Sequence, residues 1–261
     1  MTHVPRKRFG QNFLHDRRII EGIVRHLRPT AGEHIVEIGP GQGAITQHLA
    51  LSPAQLSVVE IDRDLIARLP QMPWWHHGIT LHAQDALTLD FGALLPQPLR
   101  IVGNLPYNIS TPLLFHLLDS AATVTDLHLM LQREVVQRMC AAPGEAQWGR
   151  LSIAVQLRAR TEVLLDVPPG CFYPPPKVQS QVIRVTPHQP QPVLPRALDD
   201  LLRCAFSNRR KTLRKALAAQ VPIALWDQLG IDAGLRAEVL TLTQWRALAE
   251  AVSASAYTPS D

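Results

Sequence analysis

Between positions 34 and 186 the chain repeats one pattern. A short apolar, often β-branched run is followed by a polar stretch with apolar residues every third or fourth position. His34 to Ile38, Leu56 to Ile61, a run reaching Ala83, and Leu99 to Gly103 read as buried strands, with Asp126 to Leu131, Glu162 to Val167 and Val178 to Val185 as later ones. Strands alternating with helical stretches predict a doubly wound, mostly parallel α/β sheet. Thr111-Pro112 predicts a helix start, with Thr111 as N-cap and Pro112 at the first helical position. Pro187 to Pro192 is proline-rich and stiff. After it strand-like alternation stops, and Leu198, Leu201, Leu202, Ala205 and Phe206 keep helical spacing. The expected division is an α/β domain over 1–186, a linker over 187–195 and a small all-helical domain over 196–261, with 254–261 as a frayed tail.

The first predicted strand runs straight into Gly39-Pro40-Gly41-Gln42-Gly43-Ala44. Glycines there let the backbone approach a ligand closely, and the following helix offers free amides to an anionic group. The second strand delivers Glu60, where a carboxylate would accept both hydroxyls of a ribose. Asp62 close behind it is better explained as a helix cap. A nicotinamide dinucleotide and S-adenosylmethionine both fit this much.

Two later strand ends separate them. Asp85, in Gln84-Asp85-Ala86, is suited to accept from an adenine amino group, and the strand ending at Gly103 leads into Asn104-Leu105-Pro106-Tyr107. An amide oxygen and a main-chain carbonyl can both accept from an exocyclic amine, while an aromatic ring stacks on the base that bears it. Proline fixes its own φ and so aims the turn. Hydride transfer needs no amine-gripping turn, and the methyl-donor reading follows. In open α/β sheets the crevice lies beyond the strands' carboxyl ends, where Gly39, Glu60, Asp85 and Asn104 all fall.

Charge adds a partner. Lys and Arg total 26 against 22 Asp and Glu in 261 residues, a mild excess whose distribution says more than its size. Arg6, Lys7 and Arg8 crowd one end, and Arg209, Arg210, Lys211, Arg214 and Lys215 crowd a late helix whose apolar side carries Leu213 and Leu217. Such a run is usually a solvated face; beside buried Phe206 it reads as a phosphate-binding patch. The 3 scattered cysteines and 11 histidines show no metal-type spacing, so a reduced cytoplasmic protein without a metal is expected. No apolar run is long enough to span a membrane. Trp74-Trp75 has no assigned role, and His76-His77 reads as an exposed loop pair.

The blocks Lys7 to Leu14, Val36 to Thr46, Val59 to Asp62, Gln84 to Ala86, Gly103 to Phe115, Leu131 to Val136, Pro168 to Val178 and Phe206 to Thr212 together resemble the ribosomal RNA adenine N6-dimethyltransferases, on their small-subunit branch. The resemblance runs over nearly the whole chain. It implies a Rossmann-like class I methyltransferase using S-adenosylmethionine and yielding S-adenosylhomocysteine. It also implies a small all-α C-terminal domain, a small-ribosomal-subunit partner and a monomeric state. Asn12 and Leu14 would close over the donor with Gly39, Gly41, Glu60, Asp85 and Asn104. Asn104, Leu105, Pro106 and Tyr107 would form the catalytic turn. Phe172 would be the second wall of the base pocket, although a core role is nearly as well supported. Tyr107 has its own plain alternative as a half-buried aromatic. The implied product is N6,N6-dimethyladenosine at two adjacent adenines near the 3′ end of small-subunit rRNA. Rival readings are a large-subunit adenine methyltransferase, a non-catalytic assembly factor and a dinucleotide oxidoreductase.

Overall fold

A computed structural model describes residues 11–208 and 210–255. The chain enters through β1 (Phe13–Leu14) and α1 (Arg17–Leu27), whose N-cap Asp16 accepts a hydrogen bond from Ile19 N at 3.1 Å. One face of α1 buries Ile20, Ile23 and Leu27. Then follow β2 (His34–Ile38), α2 (Thr46–Leu49), β3 (Gln55–Glu60), α3 (Arg63–Arg68), β4 (Ile79–Ala83) and β5 (Leu99–Asn104). α4 (Ser110–Asp119), β6 (Val124–Gln132), α5 (Arg133–Cys140), α6 (Arg150–Gln156), β7 (Ala159–Val167), β8 (Phe172–Tyr173) and β9 (Ser180–Pro187) complete the α/β region.

Seven strands make one sheet in the order β4-β3-β2-β5-β6-β9-β7. The pairs from β4 through β6 are parallel, and β9 joins β6 antiparallel. β2 is buried at every position and β3 at all but its first, as expected of parallel strands covered on both faces. The chain moves outward from β2 through β3 to β4, then returns to the other side of β2 for β5 and β6. That reversal opens a crevice at the carboxyl ends of β2 and β5. A separate two-stranded ladder pairs β1 with β8, with Leu14 opposite Phe172.

The amino ends of the central strands are locked by charge. Arg100 on β5 grips Asp126 on β6 with two hydrogen bonds, Nε to Oδ1 at 2.9 Å and Nη2 to Oδ2 at 2.8 Å. Its Nη1 reaches both oxygens of Glu33 at 3.1 Å, and His128 Nε2 lies 3.2 Å from Asp126 Oδ2. Nearby His34 uses both ring nitrogens: Nδ1 donates to the Pro96 carbonyl at 3.0 Å, so Nε2 accepts from Ser57 Oγ at 2.8 Å.

A division into two compact units runs inside α5. Residues up to Val136 and Arg160–Gln191 form the first; Gln137–Ala159 joins the chain from Pro192 onward in the second. The expected boundary at 186 is therefore corrected. Ala141, Trp148 and Ile153 share one apolar core with Leu201, Leu213, Leu240, Trp245 and Leu248, and the Trp148 indole donates to the Leu240 carbonyl at 3.2 Å. The expected linker is also split: Gln189 donates to the Ala121 carbonyl at 3.0 Å in the first unit, while Leu194 packs on the core of the second.

The second unit continues with α7 (Leu198–Phe206), α8 (Leu213–Ala216), α9 (Ile223–Leu229) and α10 (Leu242–Ser255). The late basic run is not one helix. Arg210 and Lys211 sit in a turn ahead of the short α8, which carries Arg214 and Lys215. Main-chain bonds from Leu213 N to Leu235 O and Arg214 N to Ala233 O hold that turn open. α10 extends through Ala254 and Ser255, which the expected tail included; 256–261 lie outside the described residues. α4 begins at Ser110 rather than Pro112. Proline fits its third position because the first-turn amides have no intrahelical acceptor to lose. Among the described residues no helix is long and apolar enough to cross a membrane.

The Arg100 cluster sets an acid limit on stability. Asp126 is held at a pKa of about 2: the His128 and Arg100 contacts outweigh the burial that pushes it up from 3.8. A carboxyl depressed in the folded state stabilises fully above its unfolded value, and that contribution disappears as pH falls through the folded one. Asp126→Asn is expected to cost about 3 kcal/mol at neutral pH, as when one partner of a buried pair is removed. It should also flatten the loss of stability between about pH 4 and pH 2. Urea unfolding of both proteins across that range measures both effects.

Candidate functional site

At the reversal in strand order lies a cleft of about 310 Å³, built from five segments of the first unit. Ile38 to Ala44 forms its floor. Gly39, Gly41 and Gly43 adopt φ of +67°, +57° and +85°, a region that other residues enter only with strain. Gly41 also meets the Phe13 ring, whose Cδ1 would stand 3.0 Å from an added Cβ. At Gly43 an added Cβ would fall 2.2 Å from the Trp74 indole. Trp74, without a role from sequence, therefore packs on the glycine loop and sets its shape.

Three carboxyls face this space. Glu60, at the end of β3, turns its Oε1 back to accept from Ile61 N and Asp62 N, both at 2.9 Å. Burial nevertheless raises its pKa, against the hydrogen bonds from Asp62, Ile61 and Gly41 amides that lower it. Asp85 follows β4 and accepts from Leu87 N at 2.9 Å. Glu37, one position before the end of β2, escaped the sequence analysis. It is fully enclosed, its Oε2 has no hydrogen-bond partner, and burial, with the Glu60 charge adding to it, pushes its pKa up to about 8. Its signal in the sequence was a charged residue inside an otherwise apolar buried strand, Ile35-Val36-Glu37-Ile38. Asp62 is the expected helix cap, accepting from Asp64 N at 3.1 Å and from Gln11 Nε2 at 2.9 Å.

The turn that leaves β5 closes the far side. Gly103 allows β5 to approach β2, since a Cβ there would lie 2.8 Å from the Ile38 carbonyl. Asn104 Nδ2 donates to the Asn12 carbonyl at 3.0 Å. Because that partner can only accept, the amide orientation is fixed, and Oδ1 is the atom turned away from it as an acceptor. Within the turn the Pro106 carbonyl already accepts from Ile109 N at 3.1 Å, which leaves the Leu105 carbonyl for a ligand. Tyr107 lines the cleft with its hydroxyl 2.8 Å from Ser180 Oγ, and burial raises its pKa despite that bond.

Gln11 to Leu14 form the remaining wall, so Asn12, Leu14, Gly39, Gly41, Glu60, Asp85 and Asn104 are brought together as expected, with Leu105, Pro106 and Tyr107. Phe172 is not. It is 2% exposed, is not among the residues that line the cleft and belongs to the apolar core that also holds Met130 and Val182, so the core role replaces the pocket wall. Arg210, Lys211 and Arg214 are exposed on the second unit; Arg209 lies outside the described residues.

Among the described residues lining the cleft there are three carboxyls and no lysine or arginine. A pyrophosphate-bearing dinucleotide would meet net repulsion there. A ligand carrying an ammonium and a sulfonium, as well as ribose hydroxyls and an adenine amine, would meet acceptors in these carboxyls, with no lysine or arginine among the described lining residues to compete for them. S-adenosylmethionine fits the cleft. Residues 2–253 match the family described as ribosomal RNA adenine dimethylase.

The chain belongs to that family.

Two curated relatives, both named ribosomal RNA small subunit methyltransferase A, cover nearly all of it. The one from Thiobacillus denitrificans is 53% identical over 251 residues, 94% of this chain and 97% of the relative. The one from Pseudomonas putida is 50% identical over 253 residues, 95% of each chain. Among solved structures, the 23S rRNA methyltransferase ErmE is 26% identical with a TM-score of 0.72, covering 92% of this chain and 99% of its own. A dimethyladenosine transferase from Plasmodium falciparum, 24% identical with a TM-score of 0.77 over 90% and 95% of the two chains, shares the fold. This adenine dimethylase is thus an S-adenosylmethionine-dependent methyltransferase with the class I α/β architecture.

Glu37 provides a test independent of turnover. With its folded pKa near 8 and its usual value at 4.5, the folded chain holds a proton that the unfolded chain has released between those limits. Stability without donor therefore falls as pH rises through that window. In thermal unfolding scans of Glu37→Gln this fall should shrink to the part that the raised Glu60 carboxyl contributes, and calorimetry should show donor affinity reduced up to about tenfold, the worth of one hydrogen bond.

Proposed function

We propose that this family member transfers two methyl groups to N6 of each of two adjacent adenines near the 3′ end of small-subunit rRNA. The observation that carries the reading is the pair of acceptors beside the cleft, Asn104 Oδ1 and the Leu105 carbonyl. An unmethylated N6 amine offers two protons, one for each acceptor. After one transfer a single proton remains and one acceptor still holds the base. After two transfers no proton remains and both hydrogen bonds are gone. A site built this way retains the half-finished product and releases N6,N6-dimethyladenosine.

The donor supplies an electrophilic methyl group. The chain does the rest by positioning. The target adenine must leave its stack to enter the cleft, and the Tyr107 ring offers a face for it. The acceptors draw N6 away from planarity and expose its lone pair, and the proton turns acidic once nitrogen gains positive charge. No strong base is needed; catalysis is orientation and electrostatics. The small-subunit assignment rests on the names of the relatives, and Arg210, Lys211 and Arg214 supply cations for its rRNA. We place the enzyme in the cytoplasm, acting as a monomer during subunit biogenesis.

The deciding assay uses labelled donor with unmethylated small subunits, and large subunits and free RNA as controls, followed by nucleoside analysis. Dimethyladenosine on small subunits supports the reading, and label on large subunits overturns it. Asn104→Ala should lower kcat roughly a hundredfold, the usual effect of removing one aligned hydrogen bond from a transition state. Donor affinity in that variant, read by calorimetry, should stay within a few-fold of wild type.

A further inference from the structure

The cleft holds its base and donor without a single lysine or arginine among its described lining residues, yet the polymer delivering the base is a polyanion. The phosphates on either side of an inserted adenine must be met by cations on the rim. The chain supplies such cations immediately beyond the cleft wall. Leu14 lines the cleft, His15 follows it at the surface, and α1 opens at Arg17.

Along α1, Arg17, Arg18 and Arg25 are exposed and fall in one sector of the helix, opposite buried Ile20, Ile23 and Leu27. Glu21 is the only acid in that sector, and its bond to Arg17 at 2.7 Å is an exposed pair that a phosphate can replace. At the start of this helix a groove of about 370 Å³ lies between His15 and Arg17 on one side and His48 and Trp74 on the other. His48 belongs to the helix that leaves the glycine loop, and Trp74 is the ring packed on Gly43. Cations in a row with a partly exposed indole at one end match a backbone track with a stacking platform, the usual arrangement for an unstacked strand.

We propose that this groove and the arginine face of α1 form a second rRNA-binding surface, on the catalytic unit itself, which holds the strand flanking the target adenine. It rests on the reading of the chain as an rRNA-modifying enzyme, and adds a contact separate from the basic turn of the second unit.

The test combines Arg17→Gln, Arg18→Gln and Arg25→Gln, all exposed positions in a helix that tolerates glutamine. Binding to unmethylated small subunits and to naked small-subunit rRNA is measured by filter retention with S-adenosylhomocysteine present, so no turnover enters. Affinity should fall about tenfold or more, and the slope of log affinity against log salt should shrink by about 2, at roughly 0.7–0.9 for each phosphate released. Donor binding and the thermal midpoint should match wild type. Unchanged affinity and slope would overturn the proposal. So would an equal loss in Arg246→Gln, an exposed arginine of the second unit. Loss on intact subunits with normal binding to naked rRNA would assign the face to a ribosomal protein and overturn it too. If wild type prefers large subunits, the substrate reading fails, whereas the same charge dependence on that RNA still supports the track.

Discussion

The parallel pairing of β2 with β5 sets Ile38 opposite Gly103, and nearly everything at the site follows from how close those strands come. A side chain at 103 would strike the Ile38 carbonyl. With glycine there, the loop leaving β2 and the turn leaving β5 emerge side by side, and an added Cβ at Gly39 would stand 3.9 Å from the Asn104 carbonyl. The glycine loop and the Asn104 turn are thus carried by neighbouring strand ends of one sheet, and the ladder sets their relative placement.

The sheet's two ends divide the labour. At the carboxyl ends, one carboxyl oxygen, Oε2 of Glu37, is buried without a hydrogen-bond partner, and glycines occupy backbone conformations that other residues would strain to reach. At the amino ends, Arg100, Glu33, Asp126 and His34 have their partners within the protein. Polar groups of similar kinds are therefore tied to one another at one end of the sheet and line the cleft at the other.

Much of this was legible in the residues. His34 to Ile38 matches β2 residue for residue, because a buried parallel strand bounded by glycine leaves little latitude. The converging strand ends were legible for the same reason. Several features were not. α1 lies ahead of the first expected strand, outside the strand–helix alternation that frames the sheet, although its buried Ile20, Ile23 and Leu27 keep helical spacing. Gln137–Ala159 reads locally as one more helical stretch; only long-range burial of Trp148 with Leu240 and Trp245 assigns it to the second unit. The contact of Trp74 with Gly43 joins residues far apart in sequence, and no local pattern announces it. Glu37 was visible but disguised by its apolar neighbours, and Phe172 could be told from a pocket residue only by its burial in the core.

The bond from Asn104 to the Asn12 carbonyl fixes a polarity. A free carboxamide can turn end for end, and in the wrong sense it presents hydrogens to an amine that also presents hydrogens. With the Asn12 carbonyl taking the amide hydrogens, the oxygen is the atom left for any partner in the cleft. The entering segment, 92 residues away in the chain, thereby decides the polarity of the turn after β5.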